Sequence, residues 1–281
     1  MTKKSHSLTI ILLLIPGVGF ITILLIACFA MVILQSLGLY NFTGESIFGF
    51  QQWIASLNQQ NLDSFIYSTE VAFLSSFISL IIAYPLAMQL RTSFFAKKYV
   101  NLVIRMPLFV PALVAAFLIL NVFSYQGIVN EVLLFLGLIK EPLRMTHDQY
   151  GLGVVAIQVW KNLPFQALIL SAALASIQSD LESAAKNLGA GPWSIFRDIL
   201  FPLSISGALT AFVFVFIGVF GDYAINQTSG PKYPPSLAMR MYMNAKLLND
   251  WGQSACIAVM IMIGALVYAW FFSRMSKFVA G

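Results

Sequence analysis

The chain has 281 residues, of which 59% are hydrophobic, 14% aromatic and only 10% charged. Soluble domains carry charge on roughly a quarter of their residues, so this composition excludes an ordinary soluble fold. The net charge of +5 comes without a basic patch interleaved with aromatics; it argues against a nucleic-acid partner and fits the loop asymmetry of a membrane protein.

The N-terminus, "MTKKSHSLTIILLLIPGVGFITILLIACFAMVIL", opens with basic residues. Its apolar run is longer than the roughly 7–15 residues of a signal-peptide core, and no A-x-A site follows, so a retained transmembrane helix is predicted over 8–37. Further apolar windows of about 18 residues or more predict spans at 65–90, 100–123, 152–177, 199–220 and 254–272. The fold class is therefore all-α integral membrane, with six transmembrane helices. Pro16, Pro85, Pro107, Pro111 and Pro164 fall inside or near span ends and predict kinks in a packed bundle, where neighbours re-satisfy freed carbonyls. Cys28 and Cys256 lie in apolar runs without paired spacing. They read as small core or lipid-facing residues, not as a disulfide or a metal site.

Orientation follows from the cations. Lys3 and Lys4, then Arg91, Lys97, Lys98 and Arg105, then Lys186 and Arg197, and finally Arg274 and Lys277 fall on one side. Only Lys140, Arg144, Lys232, Arg240 and Lys246 fall on the other. The positive-inside rule puts both termini in the cytoplasm of a multi-pass protein of a bacterial inner membrane, in contact with membrane lipid. The first, third and fifth loops then face outward, either as plain connections or as a docking surface for an external partner. Glu70 is expected near the outer end of its helix.

The loop before the fifth span reads "SDLESAAKNLGAGPWSIFRDILFPL", residues 179–203. Ser179 and Glu182 fit a capping box. Leu181, Ala184, Ala185 and Leu188 share one helix face, while Glu182, Lys186 and Asn187 point elsewhere. Gly189 suits a left-handed helix stop, and Gly191-Pro192 suits a restart with proline at the first position. The prediction is helix, turn, helix. An amphipathic connector lying on lipid headgroups would give a similar pattern, but such helices present large apolar and Lys/Arg-rich faces, whereas this one presents alanines.

"SAAKNLGA" followed by Phe196 and "ILFPL" resembles the cytoplasmic motif of permease subunits of binding-protein-dependent ABC importers. Ala184, Ala185 and Gly189 match the motif's small residues, Ile199 matches its apolar position, and Phe201-Pro202 stands for its Leu-Pro pair. Ser183 occupies the place of the motif's glutamate, and Glu182 stands one position earlier. Either Glu182 supplies the charged contact from about 100° around the helix, or this subunit lacks it. "VWKNLPFQALILSAALASIQSDL" and "PLSISGALTAFVFVFIGVFGDY" resemble the spermidine/putrescine-type group, with a recognisable core over 65–272.

The resemblance implies a type I ABC importer permease-like fold, with 1–64 as N-terminal helix and outer loop and 65–281 as a five-helix core. It implies coupling helices at about 180–198 between the fourth and fifth spans, with Glu182, Ser183, Ala184, Ala185, Leu188, Gly189 and Pro202 at the coupling site. It further implies a cytosolic ATPase dimer, a second and related permease subunit, an external solute-binding protein, and a polyamine or similar small organic solute. No G-x-x-x-x-G-K-[ST] occurs. The chain is therefore expected to be non-catalytic and free of cofactor and metal, with ATP and Mg in the ATPase.

Lys161 is the basic residue deep in a span, about 15 Å down the fourth helix. A lysine there needs a partner or a wet cavity; it either lines a pathway or serves structure, by pairing or by reaching outward. Trp160, Asn162 and Phe165 surround it in sequence, and Pro164 is expected to loosen the helix. Asp222 and Tyr223 close the fifth span, facing solute, pairing with Lys161 or simply ending a helix. Two other classes compete. An ion-gradient-driven secondary transporter or channel predicts inverted repeats and mid-membrane acids, which are not evident. An intramembrane enzyme needs a residue set that His6 and His147, both predicted outside the hydrocarbon, do not supply.

Overall fold

The computed structural model describes residues 15–42 and 46–280, with side chains through Met275. Lys3, Lys4, His6 and the start of the 8–37 span lie outside the described residues, as does the Lys277 side chain. Among the described residues the regular elements are all helical. Six stretches are long and apolar enough to cross a membrane: Ile15–Ser36, Gln59–Arg91, Ala112–Phe135, Leu152–Ala175, Pro192–Phe220 and Trp251–Met275. The all-α, six-span expectation holds.

In chain order the helices are α1 (Phe20–Ser36, entered through a π-helical turn), α2 (Gln51–Ser56), α3 (Gln59–Arg91), α4 (Lys97–Arg105), α5 (Ala112–Phe123), α6 (Ile128–Phe135) and α7 (Leu152–Ala175). There follow α8 (Ser179–Asn187), α9 (Pro192–Ile195), α10 (Phe201–Phe220), α11 (Ala224–Ser229), α12 (Leu237–Lys246) and α13 (Trp251–Ala280).

The third span departs from expectation, because residues 100–123 do not form one helix. α4 is a separate amphipathic helix bearing Lys97, Lys98 and Arg105, and it ends in a 3-10 turn at Met106–Phe109. Pro107 and Pro111 lack the N–H donors a continuous helix needs. Val110, ahead of Pro111, is extended at φ −88°, ψ 118°, as the pre-proline position prefers. The membrane stretch therefore starts at Ala112 and runs, past a break at 124–127, through α6. α3 begins at Gln59 rather than 65. Glu70 thus lies about 16 Å along the helix and not at its end.

The chain forms two compact units. One comprises the described residues up to Gln59 with Arg240–Met260; the other comprises Gln60–Met239 with the residues from Ile261 onward. In the first, α1 exposes Ile21, Ile23, Leu24 and Ile26, as a lipid-facing helix does. Cys28 is exposed, and Cys256 is buried with Sγ 3.5 Å from the Ser36 carbonyl. Both cysteines are free, as read from the sequence.

The second unit carries the helices that build the candidate site. Ser64, Ser68, Ala72, Ser75, Ser79, Ala83 and Ala87 of α3 recur three or four apart and are all buried. So small a stripe lets helix backbones approach closely. α7 and α10 are closely packed neighbours: a Cβ at Gly207 would overlap that of Ala173, so only glycine permits the contact. On α10, Phe216 and Phe220 stack at 6.2 Å, and Tyr268 and Phe272 set their edges against Phe216 at 4.8 and 5.4 Å. The Tyr268 hydroxyl is in turn 3.0 Å from that of Thr69 on α3.

Candidate functional site

α8 begins differently from the capping-box prediction. Gln178 is the extended N-cap residue, and no side chain caps the helix. Ser179 is already helical, so its hydroxyl is badly placed to cap, and the Glu182 carboxylate is engaged elsewhere. Arg91, the last residue of α3, forms an ion pair with Glu182 and donates a second hydrogen bond of 2.8 Å to the Ile177 carbonyl. Ser183, in the place of the family glutamate, is exposed, and its hydroxyl donates to the Ser179 carbonyl at 3.1 Å.

The helix stop is as predicted. Gly189 has φ +84°, its N–H donates to the Lys186 carbonyl, and the Ala190 N–H donates to the Ala185 carbonyl, both at 3.0 Å. These paired bonds satisfy carbonyls that a helix end leaves orphaned. Gly191 then caps α9, with Pro192 at its first position.

The four residues predicted to share a face divide. Ala185 and Ala190 turn inward and pack on a buried cluster that includes Ala87, Leu174, Ile177 and Ile195. Leu181 and Leu188 turn outward, 46% and 89% exposed, with Ala184 exposed between them. Pro202 lies apart from this face, at the start of α10. It follows a π-helical turn at Phe196–Leu200. Pro202 has no N–H to give the preceding turn, and its ring crowds the carbonyl four residues back, which accounts for the wide turn. Trp193 is exposed, its ring 5.3 Å from that of Phe196. A cleft of about 840 Å³ opens between α3 and α9–α10, lined by Phe77, Tyr84, Met88, Trp193, Phe196 and Phe201.

Lys161 has a specific partner. Its ammonium donates at 2.8 Å to the Val110 carbonyl, in the interruption between helices before Pro111. No ion pair joins it to Asp222, although its charge favours the ionised form of that carboxylate. Asp222 accepts the Ile225 N–H at 3.0 Å and so ties down the start of α11. Burial pushes the Asp222 carboxyl above its ordinary range; the Ile225 and Asn226 N–H groups, the Asn226 side chain and Lys161 pull it back. Pro164 is buried within an unbroken α7. Trp160 and Phe165 are partly exposed, Phe165 with its ring 6.3 Å from that of Phe214. Asn162 donates to the Gln158 carbonyl at 2.9 Å and to its Oε1 at 3.0 Å.

Sequence reasoning missed the rest of this polar ladder. Gln158, Asn162 and Gln166 recur four apart on α7. Gln166 accepts from the Ser79 hydroxyl at 2.6 Å and donates to the Ser76 carbonyl at 3.1 Å. That spacing of amides in an apolar helix was the available signal. Arg91 was counted only for topology. At the opposite end of this unit, Arg144, His147, Asp148, Tyr150, Lys232 and Tyr233 line an open basin of about 630 Å³.

A helical membrane subunit that presents a capped helix pair at one end of a tight bundle is the class these features define. The chain belongs to the family of binding-protein-dependent transport system inner membrane components, whose model matches residues 75–280. It is thus a multi-pass inner-membrane component of a binding-protein-dependent transport system. It is 27% identical over 227 residues to the molybdenum transport system permease protein ModB of Azotobacter vinelandii, covering 79% of this chain and 97% of that one. It is 25% identical over 240 residues to the spermidine/putrescine transport system permease protein PotB of Escherichia coli K12, covering 82% and 85%. In fold it matches a chain of a bacterial alginate ABC transporter, crystallised in complex with an alginate pentasaccharide-bound periplasmic protein. The TM-score is 0.80 at 17% identity, over 98% of this chain and 96% of that one. Relatives named for molybdenum and for spermidine/putrescine point to no single substrate group.

Proposed function

We propose that the chain couples uptake of a small solute to ATP hydrolysis by a separate cytosolic ATPase dimer, through residues 180–198. The observation that carries this reading is the exposed Leu181–Ala184–Leu188 face, held between a glycine stop and a proline restart and backed by Ala185 on the bundle core. A face this small and apolar fits a partner's groove, and both termini are then cytoplasmic. Glu182, Ser183, Ala184, Ala185, Leu188, Gly189 and Pro202 form the coupling segment, with Glu182, Ala185 and Pro202 acting inside the chain. ATP and Mg belong to the ATPase, and this chain holds no cofactor. Residues 65–281 are the transporting core and 1–64 an added helix and outer loop; a related second permease subunit completes the pore.

An external solute-binding protein docks on the outward loops, with the Arg144–Lys232 basin offering cations to an acidic surface. Trp160, Lys161, Asn162, Phe165, Asp222 and Tyr223 line or brace the pathway. The solute is a polyamine or a similar small organic compound, a reading supported by the likeness to PotB. An anionic solute is the second reading, favoured by the Lys161 ammonium and the likeness to ModB. Co-purification with an untagged ATPase tests the coupling. Binding of spermidine, putrescine and molybdate to the partner binding protein, followed by uptake, tests the solute. Saturable uptake of molybdate without polyamine uptake would replace the first solute reading by the second.

A further inference from the structure

We propose that Arg91 is a positioning residue that ties α8 to α3 and α7 as one mechanical body, so that Glu182 acts within the chain and not at the ATPase surface. The proposal rests on the coupling role given above. One guanidinium spans three elements: it ends α3, pairs with Glu182 on α8, and takes the Ile177 carbonyl just past the end of α7. That carbonyl lies in the non-helical link just past the Ser176 cap of α7. Arg91 and Glu182 are 20% and 22% exposed in their side chains, so the pair is sheltered from the full screening of a surface contact.

The tie has a mechanical consequence. α8 is joined to α7 only through 176–178 and to α9 only through 188–191, both non-helical. On this helix Ala185 packs inward on the cluster, and Ala190 of the following link packs beside it, both with small side chains. Without Arg91, a displacement of the Leu181–Leu188 face would be absorbed at these links. With Arg91, it is delivered to the ends of two membrane helices. The planar fork of arginine suits two acceptors at once, which a lysine ammonium on a flexible stem does not. The outward position next to Glu182 is held by Ser183, whose hydroxyl is spent on its own helix.

The test uses the whole transporter: this chain co-expressed with its partner permease and ATPase, reconstituted in proteoliposomes with the binding protein. Solute taken up per ATP hydrolysed is measured together with ATPase co-purification. Arg91→Gln and Glu182→Gln should each retain the ATPase and lower uptake per ATP by about tenfold or more, the expected scale for loss of a charge-assisted contact. The double variant should be no worse than either single one. Arg91→Glu with Glu182→Arg restores the ion pair but not the donor to the Ile177 carbonyl, so it should recover uptake per ATP only in part, a partial rescue that general loosening would not produce. Should Arg91→Gln fail to accumulate, Arg91→Lys serves, with a lowered ratio expected and the wild-type ratio overturning the proposal. Loss of the ATPase from Glu182→Gln but not from Arg91→Gln would overturn it by making Glu182 an interface contact. An unchanged uptake per ATP in Arg91→Gln would overturn it as well. A wild-type chain that retains no ATPase overturns the coupling reading beneath it, an outcome distinct from the others.

Discussion

Gly189 permits a test in which backbone and surface effects separate. It sits at φ +84° with nothing within 4 Å of the position a Cβ would take. Substitution therefore meets no clash, and its cost is conformational. An L residue in the left-handed region costs roughly 1–2 kcal/mol, so Gly189→Ala should weaken the end of α8 by about 1 kcal/mol, a factor of about five in its local equilibrium. Asn and Asp enter that region more readily, so Gly189→Asn and Gly189→Asp should cost less than Gly189→Ala. All three should insert and unfold thermally near wild type. Uptake in proteoliposomes should then divide them: Gly189→Asn close to wild type, Gly189→Ala reduced severalfold, and Gly189→Asp abolished, because it sets a charge on the proposed coupling face. Wild-type uptake with coupled hydrolysis in Gly189→Asp would refute the coupling surface. Equal loss in Gly189→Asn and Gly189→Asp would refute the division between backbone and surface.

Leu188→Asp should leave stability within about 0.5 kcal/mol, since the side chain is 89% exposed, yet it should lose ATPase co-purification; retention would remove Leu188 from the interface. Lys161→Met should lower stability by about 1.5–3 kcal/mol, because the Val110 carbonyl loses a charged donor. An unchanged unfolding midpoint together with unchanged uptake would leave Lys161 without either role. For Asp222, burial holds the folded-state pKa above the ordinary 3.8, so its protonated form is favoured by folding. That contribution is fully present below the ordinary value and is lost as pH rises through the folded value. The thermal midpoint of wild type should therefore fall relative to Asp222→Asn as pH rises above that ordinary value; a difference that stays constant with pH would contradict the assignment.

Two features near the site show where sequence reading stops. The "NLGAGP" signature predicted the α8 stop and the α9 restart, because a left-handed glycine and an N-terminal proline are local requirements of the backbone. The capping box also looked local, but Glu182 had a competitor that spacing could not reveal: Arg91 lies 91 positions away in the chain. A local motif holds only while no stronger distant partner claims the same carboxylate. The third span shows the same limit in another form. Hydropathy places an apolar run over 100–123, but the two prolines and the cations of α4 divide it, and tertiary packing decides where the membrane helix starts.

The sequence by itself determined the membrane class, the number of spans, the helix-turn-helix before the fifth span and the family. Each of these depends on composition or on residues within a turn or two of one another. Only the tertiary structure decided that Lys161 serves the Val110 carbonyl, that Ala185 faces inward while Leu188 faces out, and that Gln166 bonds α3 while Asn162 bonds Gln158 on its own helix. In an apolar helix nearly every face is oily, so periodicity carries little information about which side meets protein and which meets lipid. That choice is made by the close approach of small residues and by the few polar groups that must find partners where water is absent.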